Sequence, residues 1–153
     1  MNHKILNTRE AKKIRDALEN QFGYTKKLDY GFIENNKGKI FMINKDLGKI
    51  DFKELRINKW GLYLGTMQDD GIRLSLEGAH FIAQHAKKNI IELSDDELHE
   101  YFTGNDIEKE LDVGGNPFLI LKHKDDILGC AKYKGKIFNY LPKIHRTNDL
   151  IVE

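Results

Sequence analysis

Lysines alternate with aromatic side chains along one segment near the C-terminus, Lys132-Tyr-Lys-Gly-Lys-Ile-Phe-Asn-Tyr-Leu-Pro-Lys-Ile-His-Arg146. Lysine and arginine bind phosphate through charge, and exposed aromatic rings stack on unpaired bases, so this mixture suits a nucleic-acid contact. In an extended strand Lys132, Lys134 and Lys136 would share one face, although a turn at Gly135 would break the alternation. The same pattern also fits an amphipathic hairpin with solvated lysines and buried Phe138 and Tyr140. Arg73 falls on another expected strand, where it either joins this cationic face or is a plain exposed strand residue. Lys87 and Lys88 close an expected helix, where positive charge complements the dipole, which favours a structural role.

Other chemistries find little support. None of the six histidines forms a His-x-His or His-x-x-x-His pair, and His80 and His85 lie five apart, off a shared helical face. With the single cysteine, Cys130, no local zinc motif can be assembled, so no metal site is expected. Cys130 lies in an apolar run, the setting of a buried, inert thiol. Neither phosphate-binding glycine fingerprint is present, nor is a Gly-x-Ser-x-Gly elbow. Gly114-Gly115 is followed by an expected strand rather than the helix that a phosphate cradle needs. No catalytic residue or cofactor is expected. A small enzyme remains as a third reading, one that a pocket holding His80 or His123 beside a carboxylate would favour.

Net charge is only +1, but its distribution is uneven. Residues 1–66 carry an excess of six basic groups, residues 92–112 carry nine acids against Lys109 alone, and residues 113–153 are again basic. Two basic regions thus flank an acidic one, and a near-neutral total can hide a basic face, while ordinary solvated surfaces have the same composition. One cysteine, a polar Met1–Glu10 segment and no run near the ~18 apolar residues of a membrane span lead to the expectation of a cytoplasmic protein.

Elements must position these groups. Ala11, Ile14, Leu18 and Phe22 predict a helix from Thr8, the expected N-cap, to Gly23. Residues 28–33 and 39–43 predict a hairpin about Asn35-Asn36-Lys37-Gly38. A short helix is expected over Asp51–Leu55 and a strand over Trp60–Gly65. After the polar connection 67–70, a strand at Ile72–Ser75 leads into a helix capped by Ser75, with Leu76, Ala79, Ile82, Ala83 and Ala86 inward. Asn89–Leu93 reads as a strand. Ser94 and Glu97 form a capping box opening an acidic helix with Leu98, Tyr101 and Phe102 buried, stopped at Gly104. The last third predicts strands at 118–121, 127–133 and 136–141, whose regular turns suggest a small barrel or curled sheet.

Several of these segments resemble a known family. Gly71-Ile-Arg-Leu-Ser-Leu-Glu-Gly78, Asn89-Ile-Ile-Glu-Leu-Ser94 and Ile127-Leu-Gly129-Cys-Ala resemble a PUA domain, named for pseudouridine synthases and archaeosine transglycosylases. Asn139-Tyr-Leu-Pro-Lys143-x-x-Arg146 looks like the end of the PUA-like domain of Nop/Sun-type RNA cytosine methyltransferases. Leu64-Gly65-Thr66 with the following Arg-Leu and helix is similar to small ribosome-biogenesis proteins with an α/β pre-PUA domain. The resemblance implies an α+β protein: a pre-PUA domain over 1–66, then a β-barrel-like PUA domain with flanking helices over 71–150. It implies binding of structured RNA, rRNA or tRNA, in ribosome biogenesis, rRNA processing or RNA modification, without catalysis, since nothing matches the methyltransferases' catalytic domain. Lys136, Lys143 and Arg146 become the foremost RNA contacts, with Asn139 and Tyr140 nearby and Arg73, Lys132 and Lys134 on the same face. The alternative is a protein–protein adaptor, accessory to an RNA methyltransferase or a pre-ribosomal protein.

Overall fold

The computed structural model describes residues 3–28, 30–44, 61–115 and 117–139. Strand β1 (His3–Ile5) leads into helix α1 (Thr8–Phe22). The N-cap is Asn7 rather than the expected Thr8. Its side chain accepts from the Glu10 N–H at 2.9 Å, and Glu10 in turn accepts from the Asn7 N–H at 3.2 Å. This reciprocal box satisfies two helix-end donors, which a cap one residue later would forgo. Gly23 ends the helix in a left-handed conformation, φ 62°.

Strands β2 (Tyr30–Asn35), β3 (Lys39–Asn44), β4 (Gly61–Gln68) and β5 (Gly71–Leu74) extend β1 into a five-stranded antiparallel sheet in sequential order. The first hairpin turns where Asn35 accepts from the N–H groups of both Lys37 and Lys39, each at 2.9 Å. Strand β4 runs three residues past the expected end at Gly65, and Asp69-Asp70 turn it into β5. Residues on either side of the expected connection 67–70 therefore share one sheet.

Helix α2 (Leu76–Ala83) starts against β4. Ser75 caps it, accepting from the Gly78 N–H at 2.9 Å while its own N–H donates to the Leu64 carbonyl at 2.9 Å. A Cβ on Gly78 would fall 2.0 Å from that carbonyl, so only glycine lets the helix approach so closely. Leu76, expected inward, is 57% exposed. The close seating at Gly78 turns Gly78, Ala79 and Ile82 to the core instead.

Strands β6 (Ile90–Glu92), β7 (Phe118–His123) and β8 (Asp126–Lys132) form a second sheet, parallel between β6 and β7 and antiparallel between β7 and β8. Helix α3 (Asp95–Phe102) carries the expected capping box of Ser94 and Glu97. The run Phe118-Leu-Ile-Leu121 is buried because β7 has a core on each face. Phe118 and Ile120 join α1, α2 and the first sheet, whereas Leu119 and Leu121 join Tyr101, Ile107, Ala131 and Ile137. A third, smaller cluster, Ile33, Phe41 and Ile43, lies on the other face of the first sheet.

The fold is thus mixed α+β. The expected barrel is absent among the described residues, where the two sheets are open. Of the strand expected over 136–141, the described residues 136–139 make only single bridges, of Ile137 with Tyr133 and Ile107. The helix expected over 51–55, together with Trp60, Tyr140, Lys143 and Arg146, lies outside the described residues.

Candidate nucleic-acid interface

The lysine-rich segment leaves β8 and closes a turn. Gly135, at φ 74°, lets the Lys134 N–H donate to the Lys136 carbonyl at 3.0 Å. This turn replaces the single-faced row of an extended strand. Lys134 stands exposed at its tip. Lys132 reaches Asp70, in the β4–β5 turn, at 2.9 Å. Lys136 reaches Asp106, in the segment after α3, at 3.0 Å. Each also sits over an aromatic ring, Lys132 over Phe118 and Lys136 over Phe138, at 5.8 and 5.3 Å from the ring centres.

The carboxylates feel these partners. The Lys132 ammonium holds Asp70 below the usual carboxylate range. The Asn139 N–H, and after it Lys136, do the same for Asp106, and that pair holds Lys136 above the usual lysine range. Both pairs are solvated, so each lysine can exchange its carboxylate for a competing phosphate at little cost.

Asn139 and the aromatic rings are engaged internally. The Asn139 side chain donates to the carbonyls of Tyr101 and Asn105 at 2.6 and 3.0 Å, and its N–H donates to Asp106 at 2.8 Å. The Tyr133 hydroxyl donates to the Lys109 carbonyl and accepts from the Leu111 N–H, both at 2.8 Å. These bonds anchor the acidic segment 105–112 to the turn rather than presenting rings for stacking. Arg73 lies on β5, paired in register with Thr66, and its charge is felt by the Cys130 thiol on β8. Burial pushes that thiol up to about 11, so it stays protonated near neutrality.

The structure therefore gathers Lys132, Lys134 and Lys136 on one turn, ties Asn139 beneath it, and sets Arg73 on the strand beside β8. A groove of about 360 Å³ runs along this turn, lined by Lys132, Tyr133, Lys134 and Gly135 on one wall and by Asp70, Val113, Gly115 and Pro117 on the other. The two carboxylate partners, Asp70 and Asp106, had no signal in the local sequence, because they arrive from elements 62 and 30 residues away from their lysines. His123 pairs with Asp95 at 2.7 Å, and the ring holds that carboxyl below its usual range. Asp95 is largely exposed in the first turn of α3, where an acid also complements the helix dipole.

Comparison with known proteins bears on the same region. Residues 88–147 match the family model described as the methyltransferase RsmF PUA domain. Among curated relatives, the ribosomal RNA small subunit methyltransferase F of Aeromonas hydrophila is 26% identical over 149 residues, 96% of this chain and 30% of the relative. The proteins of the same name from Vibrio vulnificus and Vibrio atlanticus are 30% and 28% identical over 91 residues, 59% of this chain and 19% of each relative. The chain thus spans between about a fifth and a third of the relatives' length. The family resemblance read from the Asn89–Ser94, Gly129 and Asn139–Arg146 segments agrees with this match, and residues 88–147 are similar to a PUA domain of the RsmF methyltransferase type.

Proposed function

We propose that this chain binds structured RNA, ribosomal RNA foremost, in RNA modification or ribosome biogenesis, and contributes no catalysis of its own. The observation that carries the reading is the match of residues 88–147 to the RsmF PUA domain, whose span includes the cationic turn 132–136. The contacts would be to phosphate: Lys134 directly, with Lys132 and Lys136 exchanging their solvated carboxylates for RNA oxygens. Lys143 and Arg146 would extend the surface, and Arg73 would border it. The first portion would serve as a pre-PUA domain that holds the β4–β5 turn against the PUA domain through Asp70. The methyl transfer named for the relatives belongs to those longer proteins, and here it would be left to another domain or subunit.

Fluorescence anisotropy with a labelled small-subunit rRNA transcript tests this. Affinity should fall steeply between low and moderate salt, because each lysine–phosphate contact releases counterions. Lys134→Gln should flatten the salt dependence by about one unit of slope. Affinity that is indifferent to salt, or an absence of binding, would overturn the proposal.

The adaptor reading has one observation in its favour: Asp96, Glu108 and Glu110 are exposed on and after α3. Capture of a partner protein that survives nuclease treatment would favour it over RNA binding.

A further inference from the structure

Among the described residues, a second group of cations, apart from the lysine turn, gathers along α1 and about its C-terminal end. Gly23 reverses the chain there, so that residues 24–28 run back beside the helix. Arg15 holds this return, donating to the Leu28 carbonyl at 3.3 Å with its guanidinium 5.8 Å from the centre of the Phe32 ring. A third segment joins the same end. The N–H groups of Lys87 and Lys88 donate to the Phe22 carbonyl at 2.7 and 3.2 Å, and the Lys87 ammonium reaches the Thr25 hydroxyl at 3.3 Å. The last turn of α1 has no basic residue of its own, so Lys87 and Lys88 supply from outside the charge that complements its dipole.

Between α1 and the returning segment lies a groove of about 490 Å³. Among the described residues it is lined by Lys12, Arg15, Lys26 and Lys27, with Asp16 and Glu19 the acids on its wall. Lys12, Lys26, Lys27 and Lys88 are exposed. Among the described residues no carboxylate lies within ion-pair distance of any of these four, in contrast to Lys132 and Lys136 on the turn. The two aromatic or aliphatic lining side chains, Tyr24 and Leu28, are buried in the core. The groove thus offers charge with little apolar surface for an anchor. Protein partners are held chiefly by buried aromatic and aliphatic anchors, whereas a polynucleotide backbone is held by charge alone.

We infer that this groove is a second RNA-contacting surface, gripping the phosphate backbone of the same RNA that the PUA turn engages. The inference rests on the proposed RNA-binding function. Two contacts on one ligand raise its affinity through effective concentration, even where each alone is weak. No base would be read here, since the rings are unavailable, so the groove adds grip without sequence preference.

The test compares the chain with its triple variant Lys12→Gln, Lys26→Gln, Lys27→Gln, using the same rRNA transcript. These side chains are solvated and unpaired with described carboxylates, so the variant should melt at the same temperature. Its RNA affinity should fall about tenfold near physiological salt, and the salt slope should fall by about two to three units. If the variant binds with the original affinity and slope while Lys134→Gln weakens binding, the groove inference is overturned and the PUA reading stands. Should the unaltered chain bind no rRNA, the proposed function fails, and the groove reading goes with it. Polyglutamate provides the remaining arm. If it binds the chain and is lost in the triple variant while RNA binding is untouched, the groove is an acidic-protein site instead.

Discussion

Gln21 joins both ends of its side-chain amide to a single residue of the edge strand. It donates to the Ile72 carbonyl at 3.0 Å and accepts from the Ile72 N–H at 2.6 Å, while Ile72 is wholly buried. Among the described residues strand β5 has no neighbouring strand on its outer side, so Gln21 supplies these groups with their partners. Gly71 completes the fit, since a Cβ there would meet the Gln21 oxygen at 2.2 Å. Gln21→Leu keeps the volume and removes both bonds, which predicts a loss of about 2–3 kcal/mol in a urea titration. A loss below half a kcal/mol would show that water replaces the amide. The apolar stripe Ala11, Ile14, Leu18, Phe22 was legible from its helical spacing, and all four are buried. Gln21 lies on the same face and went unread, because a polar side chain carries no burial signal until its partner strand is known. The same blindness applies to Lys132 and Lys136. Their types and spacing pointed to a cationic patch, but the acids facing them come from distant elements.

Helices were legible where their ends carry local chemistry. Ser94 and Glu97 fixed the start of α3 through contacts within four residues, and Ser75 did so for α2. The inward face of α2 was not legible. Leu76 is the more apolar residue, yet the close approach at Gly78 decides the rotation. Strand order across the last third was equally hidden, since turn spacing reports that strands return but not whether they close. The end of α3 is tied down by Asn139, whose amide donates to the carbonyl of Tyr101, which also accepts from the Gly104 N–H, and to that of Asn105, just past the helix. Asn139→Ala should therefore destabilise the protein by about 1–2 kcal/mol, read by chemical denaturation, with the loss present in the absence of RNA. A residue used only for RNA would leave the unbound protein's stability unchanged, so that measurement separates the two roles.

Across the whole molecule, the uneven charge visible in the sequence becomes an internal arrangement. The acidic stretch 92–112 is pinned to the rest of the fold at several points. Asp95 meets His123 and Asp106 meets both Lys136 and the Asn139 backbone, while Glu97 pairs with Lys109 inside the stretch itself. The acidic stretch was legible as a charge imbalance; its role as a tether for the cationic turn was not, because pairing depends on the tertiary fold. This arrangement has a pH signature with a definite sign. Asp106 has a folded pKa held below its ordinary value, first by the Asn139 N–H and then by Lys136. The unfolded chain therefore binds the proton more readily in the window between the two values. The contribution is full above the ordinary aspartate value, near pH ~4, and is lost as the pH falls through the folded value. On the alkaline side Lys136, held above its ordinary value, contributes below the usual lysine range and loses that contribution as the pH rises through its folded value. Asp106→Asn keeps the shape but removes the titrating group. Its melting temperature should lie below that of the unaltered chain at pH 7, and the gap should narrow as both are taken to acid below the ordinary aspartate range. A gap that stays constant across that range would mean that Asp106 acts through shape and hydrogen bonding rather than charge, and the tether between the acidic stretch and the lysine turn would not be electrostatic.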